Sequence, residues 1–179
     1  NDYLGLSQNK IVKKETIKAI KKYGLGSSGS RYISGNNGLN LELEIALKNL
    51  KKTEDAIIFG SGYLAAIGII PALVGKKDLI IADKLIHTAL LDGAKISEAK
   101  MFRFAHNDIS HAKKILQKER INFDRCLIIT ETVFSMDGDL GNVKELLKLA
   151  NDFDALLLSD DAHGLGILDS SKYNSPNHL

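Results

Sequence analysis

The sequence predicts an α/β fold built on a largely parallel sheet, and three observations carry that expectation. From residue 55 onward, short aliphatic runs of strand length alternate with amphipathic helical stretches. The runs are continuously apolar rather than alternating, the pattern of strands covered on both faces. Polar and acidic residues follow them closely, at the carboxyl ends of the strands, where open parallel sheets bind ligands.

Strands are expected over Ala56–Phe59, Leu79–Ala82, Met101–Phe104, Leu127–Thr130 and Ala155–Leu158. The clearest helices between them are Ser110–Arg120, with Ala112, Ile115 and Leu116 on one face, and Val143–Ala150, with Leu146, Leu147 and Ala150. Such units join by right-handed crossovers. The first 50 residues read differently. A helix over Ile11–Tyr23 ends at Gly24, a suitable C-terminal cap. The loop Gly24-Leu25-Gly26-Ser27-Ser28-Gly29-Ser30-Arg31 follows, then a second helix over Leu39–Leu50. The expected organisation is an N-terminal segment over 1–50, carrying the glycine/serine-rich loop, and part of a larger α/β domain over 51–179.

Of the 179 residues, 44% are hydrophobic and 26% charged, as in an ordinary soluble domain. A net charge of +2 gives no electrostatic case for nucleic acid or membrane binding. Lysines such as Lys13, Lys14, Lys21 and Lys22 read as solvated helix faces. The single cysteine, Cys126, sits in the run Cys126-Leu127-Ile128-Ile129 and reads as a small core hydrophobe in a reducing compartment. No apolar run approaches the roughly 20 residues that span a bilayer. A soluble, cytoplasmic protein is therefore expected. The chain opens without Met at Asn1-Asp2-Tyr3 and closes in the polar stretch Ser175-Pro176-Asn177-His178-Leu179, which suggests a piece of a longer protein.

Four places carry candidate chemistry. In Leu156-Leu157-Leu158-Ser159-Asp160-Asp161-Ala162-His163-Gly164 an apolar strand ends in carboxylates. A desolvated carboxylate there calls for a cationic partner, and a protonated pyridine nitrogen would supply one, with His163 in reach of a ring oxygen. The plainer reading is a helix-capping Asp and a surface His. Phe59-Gly60-Ser61-Gly62-Tyr63 is a glycine turn opening a helix, where free N–H groups and the helix dipole suit a phosphate. It is neither a Walker loop nor a full dinucleotide fingerprint, and the alternative is a hinge that packs a helix on the sheet. His87 follows the Leu79–Ala82 strand and could stack on an aromatic cofactor, or be structural. Thr130-Glu131-Thr132-Val133-Phe134-Ser135-Met136-Asp137-Gly138-Asp139 offers a strand-end carboxylate, a hydroxyl donor in Ser135 and a turn. His106-Asn107-Asp108 reads as structural, with Asn107-Asp108 forming a turn or capping the next helix. No calcium or zinc ligand pattern is present.

In their order and spacing these motifs resemble the α-oxoamine synthases, pyridoxal-phosphate (PLP) enzymes that condense an amino acid with an acyl thioester and release CO2. The resemblance runs over the whole chain. It includes Asn1-Asp2-Tyr3-Leu4-Gly5-Leu6, Gly26-Ser27-Ser28-Gly29-Ser30-Arg31, Ser34-Gly35-Asn36, Phe59-Gly60-Ser61-Gly62-Tyr63, His87, Phe104-Ala105-His106-Asn107-Asp108, Phe134-Ser135-Met136-Asp137-Gly138-Asp139 and Asp160-Asp161-Ala162-His163-Gly164. It implies a truncated large domain of a fold-type I PLP-dependent transferase, a homodimer, and amino-acid and acyl-thioester substrates.

By residue, the resemblance implies that Ser61, Gly62 and Tyr63 bind the cofactor phosphate and His87 stacks on the ring. Ser135 and His163 would contact its phenolic oxygen, and Asp160 would pair with its nitrogen. Asn1 would lie near the amino-acid carboxylate, and Ser30 in a loop approaching the partner's active site. Glu131 would support the hydrogen-bond network. Two departures stand out. Asn40 occupies a position that is often His in the family, and the family's Schiff-base lysine falls beyond residue 179. A non-catalytic remnant and a nucleotide-binding α/β domain are the competing readings.

Overall fold

A computed structural model of the chain describes residues 1–168; the polar stretch Ser175–Leu179 lies outside them. The chain divides into two compact units, Asn1–Ala56 and a second from Ile57 onward.

The first unit holds two helices, α1 (Lys10–Tyr23) and α2 (Gly38–Lys51). Each starts at an asparagine cap: the Asn9 side chain accepts from the N–H groups of Ile11 and Val12, and that of Asn37 from Asn40 N–H. Gly24 ends α1 at φ 80°, as its position in the sequence predicts, and its N–H returns to the Ile20 carbonyl. The glycine/serine loop folds back on itself, with the N–H groups of Ile33, Ser34 and Gly35 converging on the Ser30 carbonyl. Arg31 anchors it, donating to Glu44 of α2 and to Asn36.

The second unit is the sheet domain. Its elements run α3 (Gly62–Leu73), β1 (Leu79–Asp83), α4 (Thr88–Ser97), β2 (Lys100–Phe104), α5 (Ile109–Glu119), β3 (Cys126–Glu131), α6 (Val143–Asp152) and β4 (Leu156–Asp160). The four strands are parallel, in the order β2-β1-β3-β4. The expected fold class is therefore the observed one. Side chains alternate across the sheet. Ile80, Ala82, Leu127 and Ile129 face a core shared with Ala66 and Ile70 of α3 and with Leu90 and Ala94 of α4. Leu79, Ile81, Cys126 and Ile128 face the opposite core, with Ala112 and Leu116 of α5 and Leu146 of α6. Burial pushes the Cys126 thiol up to about 12, so it packs as a hydrophobe.

Two expectations need correction. Residues 56–59 form no strand, because a strand needs a ladder partner and none of the four paired strands runs beside them. Phe59 instead lays its ring against Gly68 of α3. Coverage on both faces holds for β1 and β3, every residue of which is buried, but not for β2 and β4. Those two are the outer strands, and Leu156 of β4 is exposed.

Candidate active site

Because all four strands are parallel, their carboxyl ends lie along one edge, and the residues singled out there emerge together. Register makes Glu131, the last residue of β3, the direct neighbour of Asp160, the last residue of β4. Glu131 continues the Leu127–Ile129 face and Asp160 the Leu158 face, so both carboxylates project toward the α3/α4 side.

Glu131 is the buried hub of this edge, 2% exposed. Its Oε1 accepts the His87 backbone N–H at 2.6 Å. Burial pushes its carboxyl above the usual range, and the neighbouring Asp160 charge acts in the same sense; the His87 and Ser135 amides pull the other way. One buried carboxyl thus touches or feels three of the candidate residues.

His87 is the N-cap of α4. Its Nδ1 accepts from Ala89 N–H at 3.1 Å, so Nε2 carries the ring hydrogen, and the residue is exposed. Ser61 caps α3 through its hydroxyl, which accepts from Leu64 N–H at 3.1 Å. The Ala65 N–H goes to the Ser61 carbonyl, which leaves the N–H groups of Gly62 and Tyr63 for an anion at the helix start. The Tyr63 hydroxyl extends to Asp92 of α4 at 3.4 Å. α3 and α4 approach closely at Gly93, where a Cβ would stand 2.6 Å from the Ala66 carbonyl oxygen. This contact sets the close spacing of the two helices at their middles.

β4 leads into a tight turn. The Asp160 carbonyl accepts Thr132 N–H at 2.9 Å, and its Oδ1 accepts Ala162 N–H at 2.9 Å. Its Oδ2 receives no donor among the described residues. The turn closes where Thr132 donates to Asp161. Gly164 makes that possible, since a Cβ there would fall 2.2 Å from Asp161 Oδ1 and 2.8 Å from Thr132 Oγ1. His163 sits half-buried in this turn, three residues from Asp160.

Ser135 is exposed in a small hairpin beyond β3. The hairpin is closed by the antiparallel bridge Val133–Leu140, by Phe134 N–H to the Asp139 carbonyl at 3.0 Å, and by a turn at Gly138, φ 73°. The turn expected over Asp137–Asp139 is thus present, as is the capping role of Asp108, which accepts from His111 N–H at the start of α5.

A PLP molecule fits this donor set. Of the two adjacent carboxyl groups, Glu131 is buried and Asp160 keeps an oxygen open to a cationic N–H donor. The start of α3 offers amides to a phosphate, and the α4 cap presents an imidazole beside the same edge. The placement brings Ser61, Gly62, Tyr63, His87, Ser135, Asp160 and His163 into one unit. Asn1 and Ser30 belong to the other unit and are exposed. No group of three or more His, Cys, Asp or Glu suited to a metal ion occurs among the described residues. None of their helices is long and apolar enough to cross a membrane.

Two features of this edge were not predicted by the sequence. The contact of Glu131 with the His87 amide joins residues 44 apart, and His106 bonds both Asp83 and Asp139. Spacing along the chain carries no signal for either.

The model of the aminotransferase class I and II family matches residues 1–177. The 8-amino-7-oxononanoate synthase of Methylocella silvestris is 48% identical over 168 residues, 94% of this chain and 48% of that protein. Serine palmitoyltransferase from S. paucimobilis, solved with bound PLP, superposes with a TM-score of 0.85 at 34% identity, over 90% of this chain and 42% of that one. The 8-amino-7-oxononanoate synthase of Francisella tularensis superposes with a TM-score of 0.75 at 32% identity, over 93% and 45%. The chain spans about half the length of the curated relatives it matches.

Proposed function

The chain belongs to the aminotransferase class I and II family, in its α-oxoamine synthase branch, and from that premise we propose that the full protein condenses L-alanine with a pimeloyl thioester. The products are 8-amino-7-oxononanoate, CO2 and the free thiol, a step of biotin synthesis. The observation that carries this reading is the pair of strand-end carboxylates on the α3/α4 face, one of which accepts the backbone N–H of His87, the cap of α4. The names of relatives at 48–51% identity support this branch member.

PLP, when bound, supplies an electron sink that stabilises a carbanion at the amino-acid α-carbon. Asp160 would pair with the pyridine nitrogen through Oδ2, while Ala162 N–H fixes the carboxylate by Oδ1. Glu131 keeps the His87 backbone in place, from where the imidazole would stack on the ring. The N–H groups of Gly62 and Tyr63 would bind the phosphate, with Ser61 shaping the turn as the α3 cap. Ser135, in the hairpin after β3, and His163, in the turn after β4, would contact the ring oxygen. Asn1 contributes near the amino-acid carboxylate and Ser30 near the active site of a partner subunit in a homodimer. A cytoplasmic location goes with this role.

Mass analysis of the products formed by the full-length protein from alanine, glycine or serine with acyl thioesters of several lengths tests the assignment. The expected major product is the mass of 8-amino-7-oxononanoate from alanine and the pimeloyl thioester. A preference for glycine with a short acyl group, or for serine with palmitoyl, would move the protein to another member of the branch. No product from any pair would favour a non-catalytic role.

A further inference from the structure

At the same strand-end edge, His106 lies between two carboxylates. Its Nδ1 is 2.9 Å from Asp83 Oδ1 and its Nε2 is 2.8 Å from Asp139 Oδ2. Asp83 ends β1 and is fully buried; Asp139 belongs to the hairpin that carries Ser135. The ring edge packs on Phe134 of the same hairpin, with centroids 4.4 Å apart and planes at 89°.

A carboxylate only accepts, and a neutral imidazole has one N–H, so it can satisfy one of these neighbours and must turn a lone pair toward the other. Both contacts are hydrogen bonds when the ring is an imidazolium. We propose that His106 is a positioning residue, an imidazolium latch that holds the Ser135 hairpin to the end of β1 and lets it loosen when the ring loses a proton.

The surroundings determine which arm opens. Asp83 keeps the N–H groups of Leu85 and Asn107, both at 2.8 Å, whatever the state of His106. Among the described residues, Asp139 Oδ2 keeps only the Asn107 side-chain amide at 2.8 Å, and its Oδ1 is buried without a partner. The Asp139 arm is therefore the weaker one. Asn107 also donates to the Leu140 carbonyl at 3.0 Å, which leaves the hairpin tethered rather than free. Asp83 and Asp139 are the charged groups bonded to the ring; the Asn107 side-chain amide stands 3.5 Å from Nε2, and Phe134 packs edge-on. Burial opposes a charge on His106, but the hydrogen bonds to Asp83 and Asp139 outweigh it and raise its pKa.

Ser135 gains a purpose here from the proposed PLP site, but the latch itself is tested without cofactor or activity. The measurement is hydrogen exchange of the Ser135–Gly138 amides in the full-length protein from pH 6 to pH 9, corrected for the intrinsic pH dependence of exchange. In the wild type, protection is expected to fall roughly tenfold above the His106 pKa, the equilibrium equivalent of one charge-assisted hydrogen bond. His106→Gln is expected to show the low value throughout. Asp139→Asn lets the amide donate to a neutral imidazole, so protection should stay high at every pH. A flat wild-type profile overturns the latch, as does an Asp139→Asn profile that falls like the wild type. Should His106→Gln fail to fold, those two profiles still decide.

Discussion

At the scale of single residues, the strand-end edge is organised by two neighbouring carboxyl groups in different surroundings, Glu131 buried and Asp160 partly exposed. Glu131 is buried, and burial with the nearby Asp160 charge raises its pKa above 4.5. A raised folded-state pKa means that the folded protein binds this proton more tightly than the unfolded chain. The stabilisation is complete below the unfolded value and is lost as pH rises through the folded one. Glu131→Gln keeps an acceptor for the His87 N–H and removes the ionisation. The stability of the variant relative to wild type should therefore climb with pH above about 4.5 and then level off. Urea melts of the apoprotein at several pH values measure it; a difference independent of pH would mean that the fold does not raise the Glu131 pKa. His106 runs by the opposite chemistry, as a cation kept by two carboxylates, yet its stabilisation too fades as pH rises through its raised pKa.

At the scale of elements, helices are placed by close contacts rather than by propensity. α3 and α4 touch at Gly93, where a Cβ would meet both the Ala66 carbonyl at 2.6 Å and the Ile70 Cδ1 at 2.9 Å. Gly93→Ala should cost about 1–3 kcal/mol, because backbone must move to admit the methyl group. Gly75 is the matched control: its nearest neighbour, the Ser97 carbonyl, is 3.9 Å from a Cβ. Gly75→Ala should stay within about 0.5 kcal/mol of wild type. Thermal melts of the pair measure this, and equal midpoints would contradict the close contact. The elements themselves were largely legible, since β1, β3, α5 and α6 follow from apolar runs and helical periodicity. Residues 56–59 were misread for a physical reason: an apolar, β-branched run reports the capacity to form a strand, but the ladder needs a neighbour that lies elsewhere in the chain. In the same way His87 read as a lone strand-end histidine. Only the fold shows its ring capping α4 while its amide binds Glu131.

At the scale of the whole molecule, a four-stranded parallel sheet brings the ends of β1, β3 and β4, and with them His87, Glu131 and Asp160, to one edge, while α1 and α2 of the first unit bury no residue. That gathering was foreseeable because a parallel sheet puts every strand's carboxyl end on the same edge. The individual hydrogen bonds were not, since residues such as Asp83 and Asp139 meet only through strand order. The central claim is that Asp160 at the end of β4 grips the ring of PLP. Titrating PLP into full-length wild-type and Asp160→Ala proteins, matched in circular dichroism and thermal midpoint without cofactor, tests it most directly. The account predicts a dissociation constant at least roughly tenfold higher for the variant, as expected for losing one charge-assisted hydrogen bond in a partly buried site. Equal affinity and an unchanged cofactor absorbance spectrum would contradict it.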